Sequence, residues 1–357
     1  MKKYRVLDLF CGAGGLSLGF QLAGFKIVGG IDFQIDAIKT HEANFKNSIS
    51  ICVDIKEISD DKVKELFANK VDVIIGGPPC QGFSAGNRQQ IENDPRNKLF
   101  FEFIRFVKIL QPKAIVIENV RQILTKDNGF AKNKIFEILE EQGYNVDVRV
   151  LTSSDYGVPQ TRSRAIFIGI KKEIGNFDYD NIKKIKKIVT VKEAIGELYS
   201  LENGTELELK NQPQTKFQKY VRSKNNLITN HEPKYPNEEV QERISYVPQG
   251  GNWRDVPEHL WKVKRNNRHS SAYKRLDENK PSITIDTGHM NYFHPLYNRV
   301  PTVRESARLQ SFPDDFTFIG TPTSQLRQVG NAVPPLMAKA VAELVKEVLN
   351  NAEQKDN

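Results

Sequence analysis

Residues 4–23 read Tyr-Arg-Val-Leu-Asp-Leu-Phe-Cys-Gly-Ala-Gly-Gly-Leu-Ser-Leu-Gly-Phe-Gln-Leu-Ala. A short apolar run, Tyr4 to Phe10, predicts a strand, and Gly15 to Ala23 predicts the helix that follows it. Glycines in between allow a tight turn and a close approach of ligand to backbone, and the helix N-terminus favours negative charge. A dinucleotide enzyme would show a similar turn, but the full six-position glycine spacing is missing.

Outward from this unit the same alternation repeats. Strands are expected at Ile27 to Asp32, Ser50 to Val53, Val71 to Gly76 and Ala114 to Glu118, with helices at Ile35 to Asn44 and Phe100 to Leu110. The last of these helices stops before Pro112, as proline requires. Val146 to Leu151 and Ala165 to Ile170 read as two further strands. Strands separated by helices predict an α/β fold with a mostly parallel sheet.

The character changes near Ile185. From Thr190 to about Val300, polar, aromatic and proline-containing stretches replace the periodic pattern, as in Tyr246-Val-Pro-Gln-Gly-Gly-Asn-Trp253. Such a segment suits a recognition domain of loops and short strands. A helix is expected from Pro335 to about Leu349, with a frayed polar end at Asn350 to Asn357.

The net charge of +8 suits a polyanionic partner, although many basic proteins bind no nucleic acid. No stretch approaches the length of a membrane span. The basic start, Met1 to Arg5, lacks the apolar run of a signal peptide, so the expected compartment is the cytoplasm. The three cysteines, Cys11, Cys52 and Cys80, are too far apart for a zinc motif and suit a reducing compartment.

Chemistry concentrates in the loops after the strands. Asp32 and Phe33 close the second strand and Asp54 follows the third. An acid and a ring there can take a ribose and an adenine, while helix capping is the plainer role for each acid. After the fourth strand comes Gly76-Gly77-Pro78-Pro79-Cys80-Gln81-Gly82-Phe83-Ser84. Two prolines stiffen the approach to a thiol that glycines leave free to move, which suits a nucleophile better than a core filler. Glu118 closes the fifth strand and can donate to a ring nitrogen if held protonated. Arg162 and Arg164, two apart in an extended segment, can hold a carbonyl oxygen and phosphates.

In this order the strings resemble the cytosine-5 DNA methyltransferase family of bacterial restriction-modification type, over nearly the whole chain. Asp8-Leu-Phe-Cys-Gly-Ala-Gly-Gly15 resembles its cofactor loop, Pro78-Pro79-Cys80-Gln81 its nucleophile loop, and Asp94 to Phe100 the segment after its mobile loop. Glu118-Asn119-Val120 is similar to its catalytic triplet and Gln160-Thr-Arg-Ser-Arg164 to its basic pair. Thr302 to Asp314 and Gln328 to Pro335 are similar to its closing motifs.

The resemblance implies a Rossmann-like, S-adenosylmethionine-dependent methyltransferase sheet over residues 1–185, completed by 315–357. A smaller, irregular target-recognition domain and hinge would occupy 186–314, its length implying a single specificity. Catalysis would fall to Cys80, Glu118, Arg162 and Arg164. S-adenosylmethionine, leaving as S-adenosylhomocysteine, would be held by Phe10, Gly12, Gly14, Gly15, Leu16, Asp32, Phe33, Asp54, Ile55, Pro78 and Leu99, with Asn331, Ala332 and Val333 closing the pocket. Gln81, Ser84, Arg96 and Gln160 would contact double-stranded DNA, and Gly288, His289, Asn291 and Tyr292 are candidate base readers that a structural loop would explain equally well. No metal is needed. A monomer is expected, with room for a cognate restriction endonuclease that acts separately. A tRNA cytosine methyltransferase would need a less elaborate recognition segment. An inactive relative would have no reason to keep Cys80, Glu118 and Arg164, and a nicotinamide dehydrogenase leaves the proline–cysteine loop unexplained.

Overall fold

A computed structural model describes residues 3–79, 97–202, 207–261, 272–286 and 292–355. Its first compact unit comprises Met1–Thr152, Ser163–Lys184 and Pro335–Asn357, and its second Ser153–Arg162 and Ile185–Pro334. Residues 153–162 and 315–334 thus pack with the second unit, whereas the sequence pattern placed both in the first. Their polar side chains find partners there, as Gln160 and Gln310 do in each other at 2.9 Å.

In the first unit, seven strands form one sheet: β1 (Arg5–Leu9), β2 (Lys26–Asp32), β3 (Ile49–Cys52), β4 (Val73–Gly76), β5 (Ala114–Val120), β6 (Tyr144–Thr152) and β7 (Ser163–Lys171), in the order β3-β2-β1-β4-β5-β7-β6. The pairs β1–β2, β2–β3, β1–β4 and β4–β5 are parallel, and β7 runs antiparallel to β5 and β6. From β1 the chain builds outward to β3, then returns to add β4 and β5 on the other side. The order therefore reverses between β1 and β4, where ligands of doubly wound sheets bind.

Alternation along the strands supplies two buried faces. Leu7, Leu9, Ile74, Ile115 and Ile117 join one core with residues of α3 (Asp60–Phe67), α4 (Lys98–Leu110) and α5 (Phe130–Glu141). Val6, Asp8, Val73 and Ile75 point the other way, toward α1 (Gly15–Leu22) and α2 (Ile35–Asn44). The C-terminal helix, Pro335–Lys355, lies against α1 at Gly19, where a Cβ would come within 2.7 Å of the Pro335 carbonyl oxygen. That helix does not fray at Asn350. Its last turns carry good helix formers, and Glu353 pairs with Lys113 at 3.4 Å.

The second unit departs from the expectation of loops and short strands. It is built on short helices, α6 (Val191–Ile195), α7 (Lys216–Val221), α8 (Glu238–Ser245), α9 (Val303–Leu309) and α10 (Pro322–Asn331), and its described ladder is one two-residue pair, Lys274–Arg275 with Tyr292–Phe293. Apolar residues such as Ile195, Leu198, Val221, Leu309 and Phe312 are buried there, and charge-assisted hydrogen bonds add to the frame. Arg299, Arg304 and Arg308 are fully buried. Arg299 pairs with Glu202 at 2.5 Å and Glu305 at 2.8 Å, and Arg308 with Asp314 and Glu197, both at 2.6 Å. Among the described residues no helix is long and apolar enough to cross a membrane.

Candidate active site

The loop between β1 and α1 turns tightly, with strain confined to Phe10. Phe10, Gly12 and Gly14 all lie at positive φ, +62°, +53° and +97°. A Cβ on Gly12 would meet nothing within 4 Å, so the loop faces open space, whereas one on Gly14 would strike the Phe45 ring. Beside the loop, Asp32 at the end of β2 accepts from the Gly12 N–H at 3.0 Å and from the Gln34 N–H at 2.9 Å. Phe33, next in the chain, leaves its ring 65% exposed. These residues fit an adenosine: a flat apolar face, a carboxylate with lone pairs to spare, and a backbone that a ligand can approach closely.

The neighbouring residues divide. Asp54 caps the turn at Ile55–Glu57 and pairs with Lys56 at 2.8 Å, an exposed ion pair that holds its carboxyl below the usual range. Both oxygens are engaged by Lys56, Oδ1 by its N–H at 3.1 Å and Oδ2 by its ammonium, so a ligand would use their remaining lone pairs. Leu16 and Ile55 are buried, and Leu99 packs partly buried against the core. Gly15 is the first residue of α1. Asn331, Ala332 and Val333 belong to the second unit, at the end of α10.

On the same sheet edge, at the carboxyl end of β5, Glu118 meets Arg164 of β7 with Oε1 2.8 Å from Nε. Strand register explains the encounter. Arg164 stands opposite Val120, so Glu118, two residues earlier, is its diagonal neighbour on one sheet face. Glu118 thus stands here in an ion pair with Arg164, whereas the sequence reading expects an acid held protonated to donate to a ring nitrogen. Its other oxygen lies 3.2 Å from where a Cβ on Gly77 would be, so the glycine after β4 leaves room for the carboxylate. Asn119 ties the two loops together: its Nδ2 donates to the Pro78 carbonyl at 3.1 Å. Pro78 is buried and Pro79 exposed, so the chain leaves a fixed anchor just before Cys80. Cys80 itself, with Gln81, Ser84, Arg96, Gly288, His289 and Asn291, lies outside the described residues.

Two expectations need correction, and at Tyr292 the structural alternative holds. Arg162 does not share a face with Arg164; it is buried in the second unit, where its Nη1 donates to the Gly330 carbonyl at 2.8 Å. A phosphate cannot reach a guanidinium so enclosed. Gln160 is fully buried, and its amide bonds Leu309, Gln310 and Ile285, which makes it a brace rather than a DNA contact. Tyr292 is likewise buried, its hydroxyl 3.0 Å from that of Ser306. Sequence reasoning also missed Asn119, although its position between Glu118 and the strand end was a signal for a loop tether.

The C-5 cytosine-specific DNA methylase family matches residues 4–347. The chain belongs to that family. Among its relatives, Type II methyltransferase M1.HphI of Haemophilus parahaemolyticus is 40% identical over 97% of this chain and 87% of its own length. Type II methyltransferase M.DdeI of Desulfomicrobium norvegicum is 37% identical over 97% and 89%. The methylase also superposes on a crystal structure assigned as a DNA modification methyltransferase encoded within an Escherichia coli prophage, with a TM-score of 0.79, 31% identity, and coverage of 98% of this chain and 100% of that one. S. pombe Dnmt2 methyltransferase shares the fold, with a TM-score of 0.60 at 18% identity and coverage of 98% and 99%. The methylase is accordingly an enzyme of DNA (cytosine-5-)-methyltransferase type with a Rossmann-like sheet, and its family depends on S-adenosylmethionine.

Proposed function

We propose that this methylase methylates carbon 5 of one cytosine within a specific double-stranded DNA sequence, through addition of the Cys80 thiolate to carbon 6. The observation that carries this is the Glu118–Arg164 ion pair beside Gly77, with the Pro78 loop tethered to the same strand end by Asn119. A nucleophile loop and an acid–base pair at one sheet edge are what addition to a pyrimidine requires.

Carbon 6 is inaccessible within a stacked duplex, so the base is flipped out before reaction. Pro78 and Pro79 limit the approach to Cys80, and the anchored Pro78 carbonyl aims it. As the thiolate adds to carbon 6, electron density moves onto carbon 5 and nitrogen 3. Glu118, ion-paired with Arg164 at rest, takes a proton from solvent as the base enters and donates it to nitrogen 3 as that nitrogen becomes basic. Arg164 orients Glu118 and holds the base oxygen. The Phe10–Gly15 loop, with Asp32 and Phe33, would hold S-adenosylmethionine, which when bound would supply an electrophilic methyl and leave as S-adenosylhomocysteine. Loss of the carbon-5 proton to water then re-forms the C5–C6 double bond as the carbon–sulfur bond breaks, Cys80 leaves as thiolate, and the nitrogen-3 proton returns to Glu118.

The second unit takes the role of target recognition, and Asn331, Ala332 and Val333 are assigned to the cofactor by their motif. The chain acts as a monomer on cytoplasmic DNA, in a restriction-modification setting where an endonuclease works separately. Incubation with labelled S-adenosylmethionine and either duplex DNA or tRNA tests the assignment. Label should enter DNA, at cytosine carbon 5. Label confined to tRNA would refute it.

A further inference from the structure

Beneath the glycine loop, four side chains from four elements form a chain of hydrogen bonds. Ser17 of α1 donates to Asp8 of β1 at 2.7 Å; its oxygen lies 3.4 Å from Nε2 of His41 in α2; and His41 Nδ1 lies 2.8 Å from the Ser50 hydroxyl of β3. Asp8, Ser17 and His41 are fully buried. Burial pushes the His41 imidazole down to about 4, so the ring is neutral and carries one proton. With the Ser17 proton given to Asp8, the consistent arrangement puts the ring proton on Nε2 and leaves Nδ1 to accept from Ser50.

His41 also fills the space that two glycines leave. A Cβ on Gly30 would stand 2.5 Å from its Cε1, and one on Gly14 would stand 3.1 Å from its Cδ2. Its ring stacks on Phe45, with centroids 4.4 Å apart, and Phe45 in turn backs Gly14. In the Phe10–Gly14 loop, Gly12 and Gly14 adopt positive φ freely, but Phe10, at φ +62°, keeps that conformation only if its surroundings hold it. Asp8 precedes that loop by two residues and Ser17 follows it by three, so their hydrogen bond closes its base. Gly12 to Asp32 closes the outer side.

We propose that the buried Asp8–Ser17–His41 chain sets the conformation of the Phe10–Gly14 loop, making Ser17 and His41 positioning residues for the nucleoside cofactor. This rests on the assignment of that loop to S-adenosylmethionine. None of the three side chains is open to a ligand, so each acts through the loop backbone.

Calorimetric titration of S-adenosylhomocysteine into the wild type, Ser17→Ala, His41→Phe and Ile138→Val tests it, with unfolding midpoints and steady-state kinetics on the same samples. Ile138→Val removes a methyl from the core on the opposite sheet face and controls for loss of stability alone. Loss of one buried hydrogen bond predicts Kd and the cofactor KM raised about tenfold in both chain variants. Saturated kcat should stay within about twofold. Ile138→Val should lower the midpoint and leave Kd unchanged. Wild-type Kd in both chain variants, or an equal loss in Ile138→Val, would overturn the proposal. No binding by the wild type would refute the loop assignment itself, and the proposal with it.

Discussion

Glu118 and Arg164 are far apart in the chain, and antiparallel register alone brings them into contact. If Glu118 serves the base while Arg164 orients it, Glu118→Gln should lower kcat by roughly 10²–10³-fold and leave the affinity for S-adenosylhomocysteine unchanged. Single-turnover kinetics beside calorimetry separates the two effects. Asp8 offers a second residue-scale check. Burial raises its carboxyl to about 7, with Asp32, Cys11 and His41 as the other titratable groups around it. A carboxyl raised on folding contributes stability that is full below about pH 4 and lost as pH rises through 7. Asp8→Asn lacks that loss, so its stability relative to wild type should grow between pH 4.5 and 7.5, by about 3 kcal/mol if the whole shift is realised. Parallel denaturation curves at the two pH values would contradict it. The chemical residues were legible because strand-end positions in an α/β sheet converge on one edge. Gln160 and Arg162 were misread because sequence spacing does not reveal burial.

The strands of the first unit and several of its helices followed from periodicity, but the helices Asp60–Phe67 and Phe130–Glu141 were not expected from the sequence. In the second unit the informative signals were helix caps. Thr190-Val-Lys-Glu193, Thr215-Lys-Phe-Gln218 and Thr302-Val-Arg-Glu305 each form a capping box, and each starts a helix too short to show an apolar stripe. Glu305 serves twice, capping α9 and pairing with buried Arg299. Burial would raise its carboxyl, but the Arg299 guanidinium, through hydrogen bonds and charge, outweighs this and holds it down to about 2. The stability it contributes is present above about pH 4.5 and lost as pH falls toward 2. Glu305→Gln leaves Arg299 buried against one carboxylate and should destabilise the protein by about 3–5 kcal/mol, measured by denaturant unfolding at pH 7. Gly19→Ala should cost about 1–3 kcal/mol, because the C-terminal helix backbone occupies the space a Cβ needs. A midpoint unchanged in either variant would contradict the packing described.

At the scale of the whole chain, a net charge of +8 and a DNA substrate predict binding that weakens as salt rises. Affinity for duplex DNA should fall by at least about tenfold between 50 and 200 mM salt, while affinity for S-adenosylhomocysteine changes little, as titrations at the two concentrations would show. The base sequence recognised was not legible, because readout depends on which side chains meet groove edges, and neither composition nor motif spacing encodes that.

The central claim is the Cys80 addition to carbon 6, and fluorine at carbon 5 tests it by blocking the proton loss that releases the enzyme. Duplex DNA carrying 5-fluorocytosine, incubated with the protein and S-adenosylmethionine, should give a covalent protein–DNA band on denaturing electrophoresis that is absent in Cys80→Ser. Active wild-type protein that forms no such band would contradict the mechanism.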